Sequence, residues 1–177
     1  MEIDAQTLRD LQGPLKARYR DDPSAAKVTL SARGSLGEGI ACRVDTAKAL
    51  VDAGLHPAAG GDGTWACSGN MLLEALAACA GVTLKAVATA LGIPLAGGAV
   101  TAEGDLDFRG TLGVDKAAPV GFTDIRLRFD LDTDAAPDQL QTLLRLTERY
   151  CVIYQTLRSP PGLSVEHRVA PGRAPAE

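Results

Sequence analysis

The sequence predicts a single α+β domain, and three features of the 177-residue chain indicate this class. Residues 27–44, 99–109 and 122–131 alternate apolar and polar side chains as β-strands do. Residues 70–91 form a long, almost uncharged segment with the composition of a buried helix. Because the strands are grouped before and after this helix, the order of elements is that of an α+β fold rather than a parallel βαβ sheet.

The chain divides into three parts. Residues 1–26 are predicted to be an N-terminal helical extension, kinked at Gly13-Pro14. Its apolar positions recur at helical spacing: Leu8, Leu11, Leu15 and Tyr19. Residues 27–169 are predicted to be one domain, and residues 170–177 a disordered tail.

The domain is predicted to begin with a hairpin over residues 27–44, which has a turn at residues 35–39. Residues 46–53 fit either a helical turn or another strand. The following glycine-rich loop lacks the strand–loop–helix context of a phosphate site, so we interpret it as a connection to the central helix. His56 and Trp65 in this region are assigned to packing, with a ligand entrance as the alternative.

The central helix is predicted from Asn70 to Leu91. Its two charged residues, Glu74 and Lys85, lie about 20° apart on one stripe, which we interpret as a polar seam. The other directions carry apolar or small side chains, so the helix is expected to be buried on most sides. Cys79 lies in its middle, about 140° from Glu74.

Two strands, a second helix and a last strand are predicted after residues 92–94, where glycine and proline end the central helix. The first strand covers residues 99–109 and has a bulge at Gly104. The second helix starts at Pro137 and is expected to be capped by Asp134, and its apolar stripe leads to Cys151. Residues 163–169 alternate and are predicted to form the final strand.

Composition excludes several classes of protein. Aromatic residues make up 4% of the chain and the net charge is −4, so a nucleic-acid-binding protein is not expected. The first twenty residues carry several charges, unlike a signal peptide, and no uninterrupted apolar run of about 18 residues predicts a membrane span. We therefore expect a cytoplasmic protein without a membrane partner.

The four cysteines, Cys42, Cys67, Cys79 and Cys151, form no CxxC pair, and the two histidines stand apart in the sequence. No zinc site and no bound cofactor are therefore expected. In a cytoplasmic protein such thiols are more often free, catalytic or redox-active than parts of a disulfide framework. Cys79 also fits a second interpretation, as a small apolar core residue.

Three stretches resemble the OsmC/Ohr family of osmotically inducible and organic hydroperoxide resistance proteins: LLEALAACAGVTLKAVATALGIPL, AEGDLDFRG and LTERYCVIYQTL. The resemblance spans about residues 27–168. It implies an OsmC-like fold, in which antiparallel sheets wrap around central buried helices in an intertwined homodimer. It also implies active sites at the subunit interface.

The resemblance further implies a two-cysteine hydroperoxide reductase, with Cys79 as the peroxidatic and Cys151 as the resolving thiol. A cation is expected to activate the buried thiol, and Arg33 matches the family's arginine best, with Arg43 as the alternative. The implied substrate is an organic hydroperoxide. The implied reductant is an external dithiol similar to dihydrolipoamide, carried by a lipoylated protein. Cys67 is an alternative resolving thiol.

The chain departs from the family pattern at several positions. Ser68 and Gly69 stand where the active enzymes have a Pro-Glu pair, and Val152 stands where a proline usually follows the second cysteine. Glu148 occupies a position where histidine is common. The alternative hypothesis is therefore a non-catalytic protein that binds a small apolar ligand in the pocket at the dimer interface, and a third is a structural stress protein with buried thiols.

Overall fold

The structure is a computed structural model of the chain. It describes residues 51–113 and 115–168, the backbone of residues 33–36, 41–45 and 50, and positions 4–7, 9–10, 12–13 and 21. From residue 33 onward the described part contains six strands and four α-helices, which agrees with the predicted α+β class.

The first sheet contains β1 (Arg33–Leu36), β2 (Ala41–Asp45), β3 (Leu50–Gly54) and β4 (Ala66–Cys67) in that order. β1 and β2 are antiparallel, so the predicted early hairpin is present. Ser35 and Leu36 pair with β2 and do not belong to the turn predicted at residues 35–39, and the expected strand at residues 27–32 lies outside the described residues. β2 and β3 are also antiparallel, which decides for a strand rather than a helical turn after residue 49. β4 pairs in parallel with β3 and leads into the central helix.

In the glycine-rich loop between β3 and β4, the side chains of His56 and Trp65 pack against neighbouring residues. The His56 ring stacks on Phe108 with 5.0 Å between the ring centroids. The Trp65 ring lies over Gly54, where an added Cβ would come within 3.0 Å of the indole. These contacts agree with a packing role for both rings.

The central helix, α1 (Ser68–Leu91), ends by the predicted glycine signal. Gly92 adopts a left-handed conformation with a φ of 68°, and the Ile93 N–H donates to the carbonyl oxygen of Ala88 at 2.9 Å. This geometry satisfies carbonyl groups of the last helical turn and stops the helix. At the other end, Cys67 is the N-cap residue.

One stripe of α1 is buried, and it repeats every four residues: Leu76, Ala80, Leu84 and Ala88. This stripe faces a core to which Ile93 and Leu143 also contribute. The prediction that the helix is buried on most sides is wrong for the single chain, since Leu72, Val82 and Leu91 are exposed. Val82 and the exposed Ala78 and Ala75, one and two turns before it, form a second apolar surface opposite the buried stripe.

By length and composition alone, α1 is apolar enough to cross a membrane. A core helix of a folded domain meets the same criterion. Here α1 packs against β5 (Gly97–Leu106), α3 (Pro137–Tyr150) and α4 (Val152–Arg158), so we assign it to the core of the domain.

The second sheet pairs β5 with β6 (Phe122–Asp132) in antiparallel register. The register shifts between Asp105 and Leu106, so the bulge expected at Gly104 is displaced by one residue. Packing requires a glycine at position 104, because an added Cβ would lie 2.6 Å from the Phe122 ring that packs over it.

The predicted first strand of this sheet ends early. Instead of continuing to Arg109, the chain forms the short helix α2 (Phe108–Thr111). The Asp107 side chain accepts a hydrogen bond from the Arg109 N–H and caps this turn. Local capping by an aspartate thus overrides the alternating pattern.

α3 begins at Pro137 as predicted, but Asp134 is not its cap. Ala136 is the N-cap residue, and its N–H donates to the Gln139 side-chain oxygen at 3.0 Å. α3 ends at Tyr150, next to the Cys151 to which its apolar stripe leads, and α4 follows after that single residue.

The predicted final strand is wrong over residues 163–168, which have no regular secondary structure. Leu163 and Val165 are 92% and 96% exposed. An alternating sequence forms a strand only where a neighbouring strand pairs with its backbone, and none does so within the described residues. Val169 and the tail at 170–177 lie outside the described part of the chain.

The N-terminal segment has helical backbone at residues 5–7, 9–10 and 12–13. The Asp4 carboxylate accepts a hydrogen bond from the Thr7 N–H at 2.7 Å, as an N-cap residue does. The boundaries of the three predicted parts of the chain stay a prediction.

We expect Leu143→Ala to lower the free energy of unfolding by about 2–5 kcal/mol, because Leu143 is fully buried where α3 meets α1. The matched control, Leu112→Ala, changes an exposed leucine and should cost less than about 0.5 kcal/mol. Urea unfolding at one fixed protein concentration measures both. Equal costs at the two positions would contradict the assigned core.

Candidate functional site

The candidate site is built around a single-residue break between two helices. Cys151 is both the C-cap of α3 and the N-cap of α4, with an extended backbone of φ −72° and ψ 109°. Its N–H donates to the Thr147 carbonyl oxygen at 2.9 Å, and its own carbonyl oxygen accepts from the Gln155 N–H at 3.0 Å. The chain therefore turns at Cys151 while both flanking helices keep their hydrogen bonds.

This turn places the start of α4 beside Cys79, which lies in the middle of α1. The backbone N–H groups of Ile153 and Val152 and the Cys151 thiol lie near enough to the Cys79 sulfur to lower its pKa. The hydroxyl of Thr83, one turn further along α1, acts in the same direction. Both cysteines are free thiols, Cys79 partly buried and Cys151 1% exposed. The structure thus brings together the two thiols that the sequence singled out.

The two thiols differ in acidity. Burial raises the pKa of Cys79, but the hydrogen bonds from Ile153, Cys151, Val152 and Thr83 together outweigh it and lower that pKa below its ordinary value. Burial also raises the pKa of Cys151, and the neighbouring Cys79 acts in the same direction. The site therefore favours a thiolate at Cys79 and a protonated thiol at Cys151, which is the division of roles between a nucleophile and a resolving thiol.

The two candidate arginines lie on the first sheet. Arg33 is in β1 opposite Asp45, and Arg43 is in β2 opposite Asp52. The side chains of both arginines lie outside the described part of the structure. The activation of Cys79 by Arg33 or Arg43 therefore stays a prediction.

Other predicted positions lie away from the two thiols. Gly69, where the family pattern has a glutamate, is in the first turn of α1, and its Cα faces Phe122, Leu106 and the sulfur of Cys67. Cys67 precedes Cys79 by twelve residues on one helix, or about 18 Å along its axis. That separation is too large for a disulfide, so Cys67 cannot resolve Cys79 within one chain.

A cavity of about 500 Å³ adjoins the site on the Leu76 side. Apolar side chains of β6 and α4, including Ile125, Leu127 and Leu157, form much of its wall. Glu148 and Arg158 also line it. The cavity thus combines an apolar wall with a few charged and polar groups.

A second groove of about 500 Å³ runs along the exposed face of α1. Thr83 lies at this groove, together with Val82, Val87 and Tyr150. The groove is largely apolar and adjoins the hydroxyl group that contacts the Cys79 sulfur.

Sequence reasoning missed the groups that contact Cys79 from α4, because no glycine or proline marks the break at Cys151. The sequence places Thr83 on the same face of the helix as Cys79. The signal that could have revealed it is its position four residues after Cys79, where side chains on a helix meet. Among the described residues, no group of three His, Cys, Asp or Glu side chains is arranged to hold a metal ion.

Comparison with known proteins adds a family and a fold. The family model of the OsmC-like proteins matches residues 61–166. None of the curated protein sequences matches the chain.

Several solved structures share the fold. An OsmC-like protein from Mycoplasma pneumoniae aligns with a TM-score of 0.63 and 16% identity, over 76% of this chain and 90% of that one. An organic hydroperoxide resistance protein OsmC from Legionella pneumophila aligns with a TM-score of 0.56 and 18% identity, over 75% and 93%. The organic hydroperoxide resistance protein OhrB of Bacillus subtilis gives 0.52 and 19%, over 74% and 93%.

We expect iodoacetamide to alkylate Cys79 at least about tenfold faster than Cys151 at pH 7, because a lowered pKa increases the thiolate fraction and a raised pKa reduces it. As the pH falls, the Cys79 rate should begin to drop only below the ordinary thiol pKa. Peptide mapping between pH 5 and 10 measures each site, and the protein unfolded in urea is the control. Faster alkylation of Cys151 in the folded protein would contradict the assignment.

Proposed function

Since this chain belongs to the OsmC-like protein family, we propose that it is a thiol-dependent peroxidase that reduces organic hydroperoxides through Cys79 and Cys151. Proteins of similar fold from Legionella pneumophila and Bacillus subtilis are organic hydroperoxide resistance proteins, which supports a peroxide-related function at the level of the family. The single observation that carries the proposal is the contact between the two thiols, of which Cys79 is the more acidic.

The first step is attack of the Cys79 thiolate on the outer oxygen of the hydroperoxide. The O–O bond breaks, the sulfur is oxidised to sulfenic acid, and the alkoxide leaves and takes up a proton to give the alcohol. The N–H groups of Val152 and Ile153 favour this step because they stabilise the thiolate against burial.

The second step joins the two cysteines. The Cys151 sulfur attacks the sulfenic sulfur of Cys79, the S–S bond forms, and the hydroxyl leaves as water with the Cys151 proton. An external dithiol, such as the dihydrolipoamide group of a lipoylated protein, then reduces the disulfide by two thiol exchanges and is itself oxidised to a cyclic disulfide. Both protein thiols are regenerated.

The substrate class follows from the surroundings of the site. The cavity beside Leu76 and the groove at Thr83 both offer apolar walls. Such walls favour the organic part of an alkyl or aryl hydroperoxide over hydrogen peroxide, which has no apolar surface to bury. The proposed substrate is therefore a lipophilic hydroperoxide.

The proposed active unit is a homodimer. α1 carries a second apolar surface, opposite its buried stripe, at which Val82 is 73% exposed. A second copy of the chain that covers this surface would bury the side of α1 that the single chain leaves open, as the predicted burial of the helix requires. The proposed activating cation for Cys79 in this dimer is Arg33, with Arg43 as the alternative.

A second candidate function is the non-catalytic binding of a small apolar ligand. The observation that favours it is Gly69, which leaves the first turn of α1 without the carboxylate of the family's active enzymes, next to a cavity large enough for a small ligand. The same experiment distinguishes the two candidates.

We expect cumene hydroperoxide to remove two free thiols per chain from the reduced protein and to lower its intact mass by about 2 Da, as a disulfide does. Cys151→Ser should gain about 16 Da at Cys79 as a sulfenic acid, because it lacks the resolving thiol. Cys79→Ser should keep its remaining thiols. Thiol titration and intact-mass spectrometry measure these outcomes.

Cys67→Ser is the matched control for this experiment, since Cys67 is about half the length of α1 away from Cys79. It should lose two thiols as the wild type does. Thiols that survive millimolar peroxide for minutes would refute the peroxidase, and binding of the unreactive analogue cumyl alcohol would then support the ligand-binding alternative.

We expect Val82→Glu to convert the dimer into monomers, because it places a charge in the middle of the apolar surface of α1. Val120→Glu is the control, a change of the same kind at another exposed valine, and it should leave the dimer intact. Sedimentation velocity measures the mass of both variants. A monomeric wild type, or a dimer that survives Val82→Glu, would contradict this interface.

A further inference from the structure

The Glu148 residue joins the last turn of α3 to three residues of α4. Its carboxylate accepts a hydrogen bond from the Tyr154 hydroxyl at 3.4 Å and lies 3.9 Å from the Arg158 guanidinium. Its backbone carbonyl oxygen accepts from the Gln155 side-chain amide at 2.7 Å. These contacts bridge the chain break at Cys151.

α4 needs such contacts to keep its place. It has only seven residues, which is too short for a helix to be stable without tertiary packing. It is also joined to α3 through one extended residue, Cys151, whose two dihedral angles could otherwise change the direction of α4. The side chains that cross this break therefore set the angle between the helices.

We propose that Glu148 is a positioning residue of the thiol pair: through Tyr154 it holds α4 so that the N–H groups of Val152 and Ile153 face the Cys79 sulfur. Glu148 touches neither thiol in this arrangement. It acts through the direction of α4.

The Tyr154 contact contributes more to this effect than the Arg158 contact. Tyr154 is partly buried and its hydroxyl lies 3.4 Å from the carboxylate, whereas the Arg158 side chain is 63% exposed and lies 3.9 Å from it. The Glu148 side chain itself is 46% exposed. Exposed ion pairs of this kind contribute little to stability. A neutral acceptor in place of the carboxylate should therefore still hold the Tyr154 hydroxyl.

The charged groups around the contact between Glu148 and Tyr154 come from two elements, α4 and β6. Arg158 approaches Glu148 from α4, and Asp124 of β6 lines the same cavity but is itself paired with Arg126 at 2.7 Å. Cys79 is faced by Cys151 from the helix break and by Thr83 from its own helix. A shift in the titration of Cys79 after a change at Glu148 therefore reports on the donors of α4.

The test uses the pH profile of Cys79 alkylation by iodoacetamide in the full-length protein. We expect Glu148→Ala and Tyr154→Phe each to move the profile to higher pH and to slow alkylation at pH 7 by roughly threefold to tenfold, since fewer donors then stabilise the thiolate. Glu148→Gln should stay close to the wild type, because its amide oxygen still accepts from Tyr154.

Asp138→Ala is the matched control, since it removes an exposed carboxylate from the first turn of the same helix. It should leave the profile unchanged. Hydrogen exchange of the peptide that contains Val152 and Ile153 should rise in Glu148→Ala and not in Asp138→Ala, because the start of α4 is then held less firmly.

An unchanged Cys79 profile in Tyr154→Phe, a variant that alters one hydroxyl group, would overturn the proposal even if Glu148→Ala failed to fold. An equal shift in Asp138→Ala would overturn it too, because the loss of one negative charge anywhere on α3 would then explain the effect. The inference depends on the proposed peroxidase function only where the position of α4 is expected to affect catalysis. Alkylation requires no peroxide, so the two claims can fail separately. If the variants shift the alkylation profile as expected but the wild type does not react with peroxide, the peroxidase function is refuted and the role of Glu148 is not.

Discussion

The structure depends on close packing along one stripe of α1. Leu76, Ala80, Leu84 and Ala88 alternate large and small side chains, so a neighbouring helix can pack close to the axis of α1 at the alanines. α3 occupies this position with the fully buried Leu143, and α4 continues along the same helix. Because Cys79 directly precedes Ala80, the packing that forms the core also fixes the distance between α4 and the thiol.

Much of this arrangement could be predicted from local sequence. The C-terminal end of α1 follows from Gly92, which forms the required left-handed turn, and β6 follows from the strict alternation of residues 122–131. Cys79 and Cys151 could also be identified from the sequence, but only the resemblance to a family predicted that the two thiols lie together. Such features depend on residues close together in the chain, and for that reason they can be read from it.

The failures concern effects that act between distant residues. The extended backbone of Cys151 has no glycine or proline to predict it, since the break results from the packing of α3 and α4 on α1. Residues 163–168 alternate like a strand, but no described strand pairs with them. The α3 cap depends on the Gln139 side chain rather than on Asp134, a competition that composition alone does not decide.

At Cys151 the backbone and the side chain have separate roles. The backbone of Cys151 holds two helices through its N–H and carbonyl groups, whereas its sulfur is directed to Cys79. A serine there would keep the same backbone hydrogen bonds and remove only the second thiol. In evolutionary terms, one such substitution would end the proposed two-cysteine cycle and leave the path of the backbone unchanged, at the cost of burying a hydroxyl group in place of a thiol.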